Sequence, residues 1–317
     1  MIELFVSFLV VLLILISSGL IFSRILIGKQ NTEYNFFEIG LLGIFFYTLI
    51  SLFVHFFAPL NEVVNGIIAL VILLISFLNY RENFKKKLYQ STKIFLPLLI
   101  IVILMTIKYK PNEDYGFYHL PYIINLTSEK IIFGLSNLQP QFSWNSTWLN
   151  FSSTFYLPFL KIKGTQLTNS ALYFFIIGLF LNKIFIEKKN ENFSTFFIYA
   201  LLPYLIIKFT RISEHGFDFP ANSFLLLSFY YFIELFDKNF DFNKKKLVLV
   251  LIFSFFSLTI KLSTIPVLII LLFISYNLFL KRYTFKNLSK SIFFSFLFIF
   301  FWLTQQYIYS GCLTPFI

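Results

Sequence analysis

Several times along its length the chain runs for about 17–25 mostly apolar residues, the length of helix that crosses the hydrocarbon core of a bilayer. No soluble fold can hide that many such runs. With 58% of its 317 residues hydrophobic and 13% charged, the chain lacks the charge to clothe a soluble domain. Hydropathy therefore predicts an all-α, polytopic transmembrane helical bundle with spans at about 3–26, 36–57, 62–79, 94–109, 168–186, 193–209, 219–236, 246–260, 264–280 and 290–308. The first run carries Glu3 where a secretion signal carries positive charge and is too long for one, so it reads as a retained helix.

The net charge of +11 is explained by where the cations fall. Arg24 and Lys29 follow the first span, and Arg81, Lys85, Lys86, Lys87 and Lys93 follow the third. Lys183, Lys188 and Lys189 surround the loop after the fifth; Lys238, Lys244, Lys245 and Lys246 follow the seventh, and Lys281, Arg282, Lys286 and Lys290 the ninth. Every second loop is basic. The positive-inside rule makes those loops cytoplasmic, turns both termini outward and removes nucleic acid as a partner. Membrane lipids are the implied surroundings. The single cysteine, Cys312, excludes an internal disulfide.

The segment from about 110 to 166 then lies outside and is by far the longest loop. Rich in Tyr and Trp, it is expected to lie on the membrane surface with interfacial helices near Leu120–Leu126 and Trp148–Phe155. It also holds glycosylation sequons at Asn125, Asn145 and Asn150, which arise readily by chance in an Asn-rich chain.

Three polar constellations interrupt the apolar pattern. The first is PNEDYGFYHLPY, at 111–122, where Glu113 and Asp114 form an adjacent acidic pair and His119 follows five residues later. The plain reading is a helix end meeting water; the chemical one is a carboxylate general base at the membrane surface. Asp114 and His119 would supply two ligands for a divalent metal and no third. The second is FTRISEHGFDFP, at 209–220, either a salt-bridged turn or a site with Arg211 as a phosphate clamp and Asp218 as a second acid. The third is LTIKLSTIP, at 258–266, where Lys261 breaks the charge alternation with no acid near it in sequence. It either snorkels to the headgroups or holds a lipid phosphate. No P-loop, GxSxG elbow, zinc-ligand cluster or dinucleotide fingerprint occurs, and no span has the buried charges of a proton relay.

The loop EDYGFYHLPYIINLTSEKIIFGLSNLQPQFSWNSTWL resembles the first-loop region of bacterial multispanning proteins similar to C-type glycosyltransferases. Asp114, Tyr118, His119, Gly134, Leu135, Asn137, Leu138, Asn145 and Ser146 carry the match; Gln139 and Gln141 stand where those relatives have His and Arg. The resemblance covers about 40 residues, and Asp218 and Lys261 are similar in placement to a second acid and a lipid-phosphate lysine. It implies transfer of a sugar from a polyprenyl-phosphate donor to a glycan or lipid acceptor at the outer face of the inner membrane. Asp114 would be the base with Glu113 its substitute, and Arg211 and Lys261 would hold phosphate. His119, Asp218, Tyr118, Asn137 and Asn145 would line the site. It also implies extra helices before the acidic pair and further spans beyond Ile317, so that the chain is expected to be a truncated form. A polysaccharide transporter or flippase, and a surface-glycan polymerase, are the alternatives; paired inverted repeats, the mark of many transporters, are absent.

Overall fold

The computed structural model describes residues 2–28, 34–107, 113–187, 192–237, 243–280 and 288–313. Among these residues twelve α-helices form a bundle: α1 Ile2–Ile27, α2 Phe36–His55, α3 Glu62–Ile107, α4 Leu120–Ser128, α5 Thr147–Ser153, α6 Lys161–Thr165, α7 Thr168–Phe185, α8 Phe193–Ile207, α9 Asp218–Phe236, α10 Lys244–Ile260, α11 Val267–Leu280 and α12 Ser289–Ser310. No β-strand occurs among the described residues. Lys29, Lys188, Lys189, Lys238, Lys281, Arg282 and Lys286, expected in basic loops, lie outside the described residues, as do Pro111 and Asn112.

Seven helical stretches among the described residues, rather than ten, are long and apolar enough to cross a bilayer. Two effects lower the count. The expected spans at 62–79 and 94–109 belong to one helix of 46 residues, α3, and α10 and α11 are only 17 and 14 residues long. Helix α3 does not run straight. Asn65 near its start donates to the carbonyl of Ser153, Thr106 near its end meets Ser170 at 3.0 Å, and Ser152 and Thr168 are 2.9 Å apart. A straight helix at 1.5 Å per residue would hold Asn65 and Thr106 about 60 Å apart, far beyond the reach of those contacts. The helix folds back through its middle, where Arg24 stacks on Tyr80 and Lys87 donates to the carbonyl of Tyr34.

Glycine lets α1 and α2 cross closely. A Cβ on Gly19 would sit 1.8 Å from the carbonyl oxygen of Ile39, and one on Gly43 would sit 1.8 Å from that of Leu15. Only hydrogen fits at either position, the close backbone approach that small residues permit between membrane helices. Asn35 and Glu38 start α2 with a reciprocal capping box.

The two ends of the bundle differ in chemistry. At one end Lys183 lies 2.9 Å from Glu187 and 3.9 Å from both Glu38 and Glu234; Lys245 is 2.6 Å from Glu38, and Lys246 is 3.4 Å from Glu234. Glu38, Glu234, Lys183 and Lys246 are buried. Lysines expected in water-facing loops, together with acids drawn from two spans, thus tie α2, α7, α9 and α10 together. A buried charge is tolerated only with such partners.

The long loop is also corrected. Helices form at both expected places, but α5 is buried along all seven residues, with Trp148, Asn150 and Phe151 at zero exposure. It packs on α2 and α4 instead of lying on a surface. Its hydroxyls find partners inside, Ser152 with Thr168 and Thr147 with Thr259 at 3.2 Å, whereas the Asn150 amide and the Trp148 indole N–H are buried without one. Burial of Asn145 and Asn150 puts two of the three sequons out of reach of a glycan.

Candidate functional site

The end opposite the buried ion network gathers residues from three distant segments around two adjoining cavities. The chain enters the site through a five-residue π-helical turn, Tyr115–His119. In an α-helix, residues five apart would diverge by about 140°. The wider π winding brings such residues nearly into line, and π turns are frequent at functional sites. Asp114 and His119 consequently line the same cavity.

The smaller cavity, about 130 Å³, is lined by Asp114, Tyr118, His119, Arg211, Glu214 and Asp218, among others. The larger, about 650 Å³, shares Asp114, Tyr118, Phe217 and Asp218 with it and adds Lys261, Asn145, Trp144, Trp302 and the apolar Leu258, Ile260 and Leu262. These shared residues are a common wall. The Lys261 loop reaches it because α10 ends at Ile260 and the backbone turns extended at Lys261 before a short 3₁₀ turn.

Lys261 has an acid after all. Its ammonium lies 2.5 Å from Asp218, which is 43 residues away in sequence, and above the Phe217 ring. Arg211 is half-exposed and pairs at 3.3 Å with the buried Glu214. Arg211 lines the smaller cavity and Lys261 the larger. Asp114 is exposed and has neither an ion-pair nor a hydrogen-bond partner among the described residues.

Burial dominates the electrostatics beneath this rim. It pushes the His119 imidazole down to about 4, against the pull of Asp114 and Asp218. His215 is pushed down to about 3 by burial, with His119 adding to the shift, and is held by Thr165 at 2.6 Å and stacked on Tyr115. Burial raises Glu214 despite the opposing charge of Arg211, and raises the Tyr118 phenol, with Asp114 and Asp218 adding to it. Both ring nitrogens of His119 are buried without a hydrogen-bond partner.

Not every expected site residue converges. Glu113 is exposed and lines neither cavity. Asn137 is exposed as well and lines neither; it tucks against Gly134, whose φ of 70° favours glycine. Asn145 lines the larger cavity, but its amide is committed: it donates to the Trp302 carbonyl at 3.1 Å and accepts from Tyr122 at 3.4 Å. The Trp302 indole donates in return to the Asn145 carbonyl at 2.7 Å. Among the described residues no group of three or more His, Cys, Asp or Glu is arranged to hold a metal ion. Sequence reading missed the contributions of Trp144, Thr259, Asn222 and Trp302. No polar cluster flags Trp302, which sits inside an apolar run.

A family model described as "Domain of unknown function (DUF8201)" matches residues 1–314. No curated protein and no solved structure matches the chain.

Proposed function

We propose a function from the chemistry of the site, because the chain belongs to the DUF8201 family, a domain of unknown function. The protein is an integral-membrane glycosyltransferase of the C-type kind. It moves a sugar from a polyprenyl-phosphate donor to a glycan or lipid acceptor at the outer face of a bacterial inner membrane. One observation carries the reading: Asp114, Asp218 and Lys261, far apart in sequence, line one 650 Å³ cavity whose remaining walls are mostly apolar. A lipid-linked sugar phosphate needs that combination, with an apolar path for the chain, a cation for the phosphate and a carboxylate for the proton.

In the transfer step the Asp114 carboxylate takes the proton of the acceptor hydroxyl as its oxygen bonds to the anomeric carbon. The bond from that carbon to the phosphate oxygen breaks, and polyprenyl phosphate leaves with the electron pair. Lys261 stabilises the leaving phosphate, which competes with Asp218 for the ammonium. With α3 read as two crossings and α10 and α11 as one each, the bundle crosses ten times, and the basic loops face the cytoplasm.

A flippase is the rival of another class and would need an opening at the far end, where the buried lysine–glutamate network lies. A polymerase of surface glycans shares the donor chemistry. The deciding measurement is transfer from a lipid-linked sugar by the purified protein in vesicles. Asp114→Asn is expected to lower transfer by roughly 10²–10⁴ while the protein inserts and melts as before. Glu113→Gln is expected to act weakly. Lipid translocation without transfer, or an Asp114→Asn protein at full rate, overturns the reading.

A further inference from the structure

His119 poses a problem that its surroundings do not solve. It is 3% exposed, it lines the smaller cavity, and neither ring nitrogen has a hydrogen-bond partner. Leaving a buried polar group unmatched is costly, and an uncharged imidazole has two needs, one N–H to donate and one nitrogen to accept. Its aromatic neighbours, Tyr118 and Phe217, meet it ring against ring and supply neither.

The rest of the cavity narrows the ligand. Arg211, the cation nearest the buried acid, is engaged by Glu214, and Asp218 by Lys261. Lys208 leans over the Tyr204 ring. Asp114 and the second oxygen of Glu214 remain as unpaired acceptors. A phosphate or carboxylate entering here would face two carboxylates and could satisfy only the imidazole N–H. An ammonium would satisfy the other nitrogen and the free carboxylate oxygens but leave the imidazole N–H unmatched. A hydroxyl both donates and accepts, so a group with neighbouring hydroxyls meets both nitrogens and the free carboxylate oxygens together. Size is compatible: a water takes up about 30 Å³ in the liquid, so 130 Å³ holds about four water-sized groups, room for the hydroxyl-bearing edge of one monosaccharide.

We propose that the smaller cavity is a binding site for one hydroxyl-rich sugar unit without a phosphate, with His119 matching its hydroxyls and the free carboxylates turning phosphorylated sugars away. That this unit is the acceptor rests on the transferase reading above; its binding does not. Across the shared wall it would lie beside Asp114, on the side away from Lys261.

The test is saturation-transfer NMR on the full chain in a detergent without a sugar headgroup, with methyl α-glucopyranoside, glucose 6-phosphate and glucosamine as probes. The neutral glycoside is expected to bind at least tenfold more tightly than glucose 6-phosphate, and glucosamine within a few-fold of the glycoside. His119→Gln keeps one donor and one acceptor and is expected to retain binding within a few-fold. His119→Leu is expected to lose it while melting no lower than His119→Gln. Equal binding by the Leu variant, preference for glucose 6-phosphate, or no binding of the neutral glycoside overturns the proposal. Glycoside binding by a protein that transfers nothing from a polyprenyl-phosphate sugar sinks the transferase reading alone. Transfer without glycoside binding sinks this one alone.

Discussion

Replacing Lys183 by Met tests how the far end of the bundle is held. Lys183 reaches three carboxylates, at 2.9 Å to Glu187 and 3.9 Å to Glu38 and Glu234. Removing one partner of a buried ion pair costs about 3–5 kcal/mol, because the other charge is left in a poor solvent. The neighbours soften that loss. Glu38 keeps Lys245 at 2.6 Å and the Tyr231 hydroxyl at 2.9 Å, and Glu234 keeps Lys246 at 3.4 Å. Glu187 loses its cation but is about a third exposed and keeps the Asn182 amide at 3.3 Å. The low end of the range, about 3 kcal/mol, is therefore expected. In a chain of this size that lowers the apparent melting temperature by on the order of 5–10 °C. The assay is thermal unfolding of both proteins in one detergent at fixed lipid content. A second variant, Lys183→Met with Glu187→Gln, removes the charge left behind and is expected to recover part of the loss. A Lys183→Met protein that melts with the wild type, or a double variant no better than the single, would refute the idea that these charges hold the end together.

Other expectations follow from the same packing and charges. Gly43→Ala is expected to destabilise by at least about 1–3 kcal/mol, because its Cβ meets the backbone of Leu15, which has no room to yield; Gly66→Ala, where the nearest atom is 3.6 Å away, is expected to be neutral or mildly stabilising in the same melting assay. Acid is expected to weaken the loop layer. His119 and His215 have folded pKa values depressed below 6.5, so their contribution is present above that pH and is lost as pH falls toward about 4 and about 3, at up to about 1.4 kcal/mol per unit for each; Glu214, with its raised pKa, opposes by one group. Melting temperatures between pH 7 and 4 check the sign. For sidedness, in a Cys312→Ser background, Ser128→Cys is expected to react with an impermeant thiol reagent from outside and Lys86→Cys is not; reversed labelling would turn the site to the cytoplasm.

Hydropathy located the helices because length and apolarity are local properties. It missed the joining of 62–79 to 94–109, since charged residues such as Arg81 and Lys85 prefer water yet do not break a helix. The interior place of α5 was illegible for a related reason. Trp148 and Phe151 suit a headgroup layer and a protein core equally well, and only tertiary contacts choose between them. In the site, Asp114, His119, Asp218 and Lys261 stood out because charge is rare in this chain, but the partnership of Lys261 with Asp218 spans 43 residues and leaves no sequence pattern. Rarity flagged the polar residues. It said nothing of the tryptophan wall, where Trp is one apolar residue among many.

That wall has a consequence for how the protein is made. Trp302 and Asn145 clasp each other across 157 residues, and Tyr309 on the same helix reaches His55 at 3.1 Å. At about 5–20 residues per second, the ribosome delivers Trp302 roughly 8–30 s after Asn145. Through that interval the loop and the earlier helices must enter the membrane without the helix that closes one side of the larger cavity. An arrest of translation before residue 302 would leave the charged side chains in place and the pocket open on that side, so competence would arrive late in synthesis and in one step, as α12 docks.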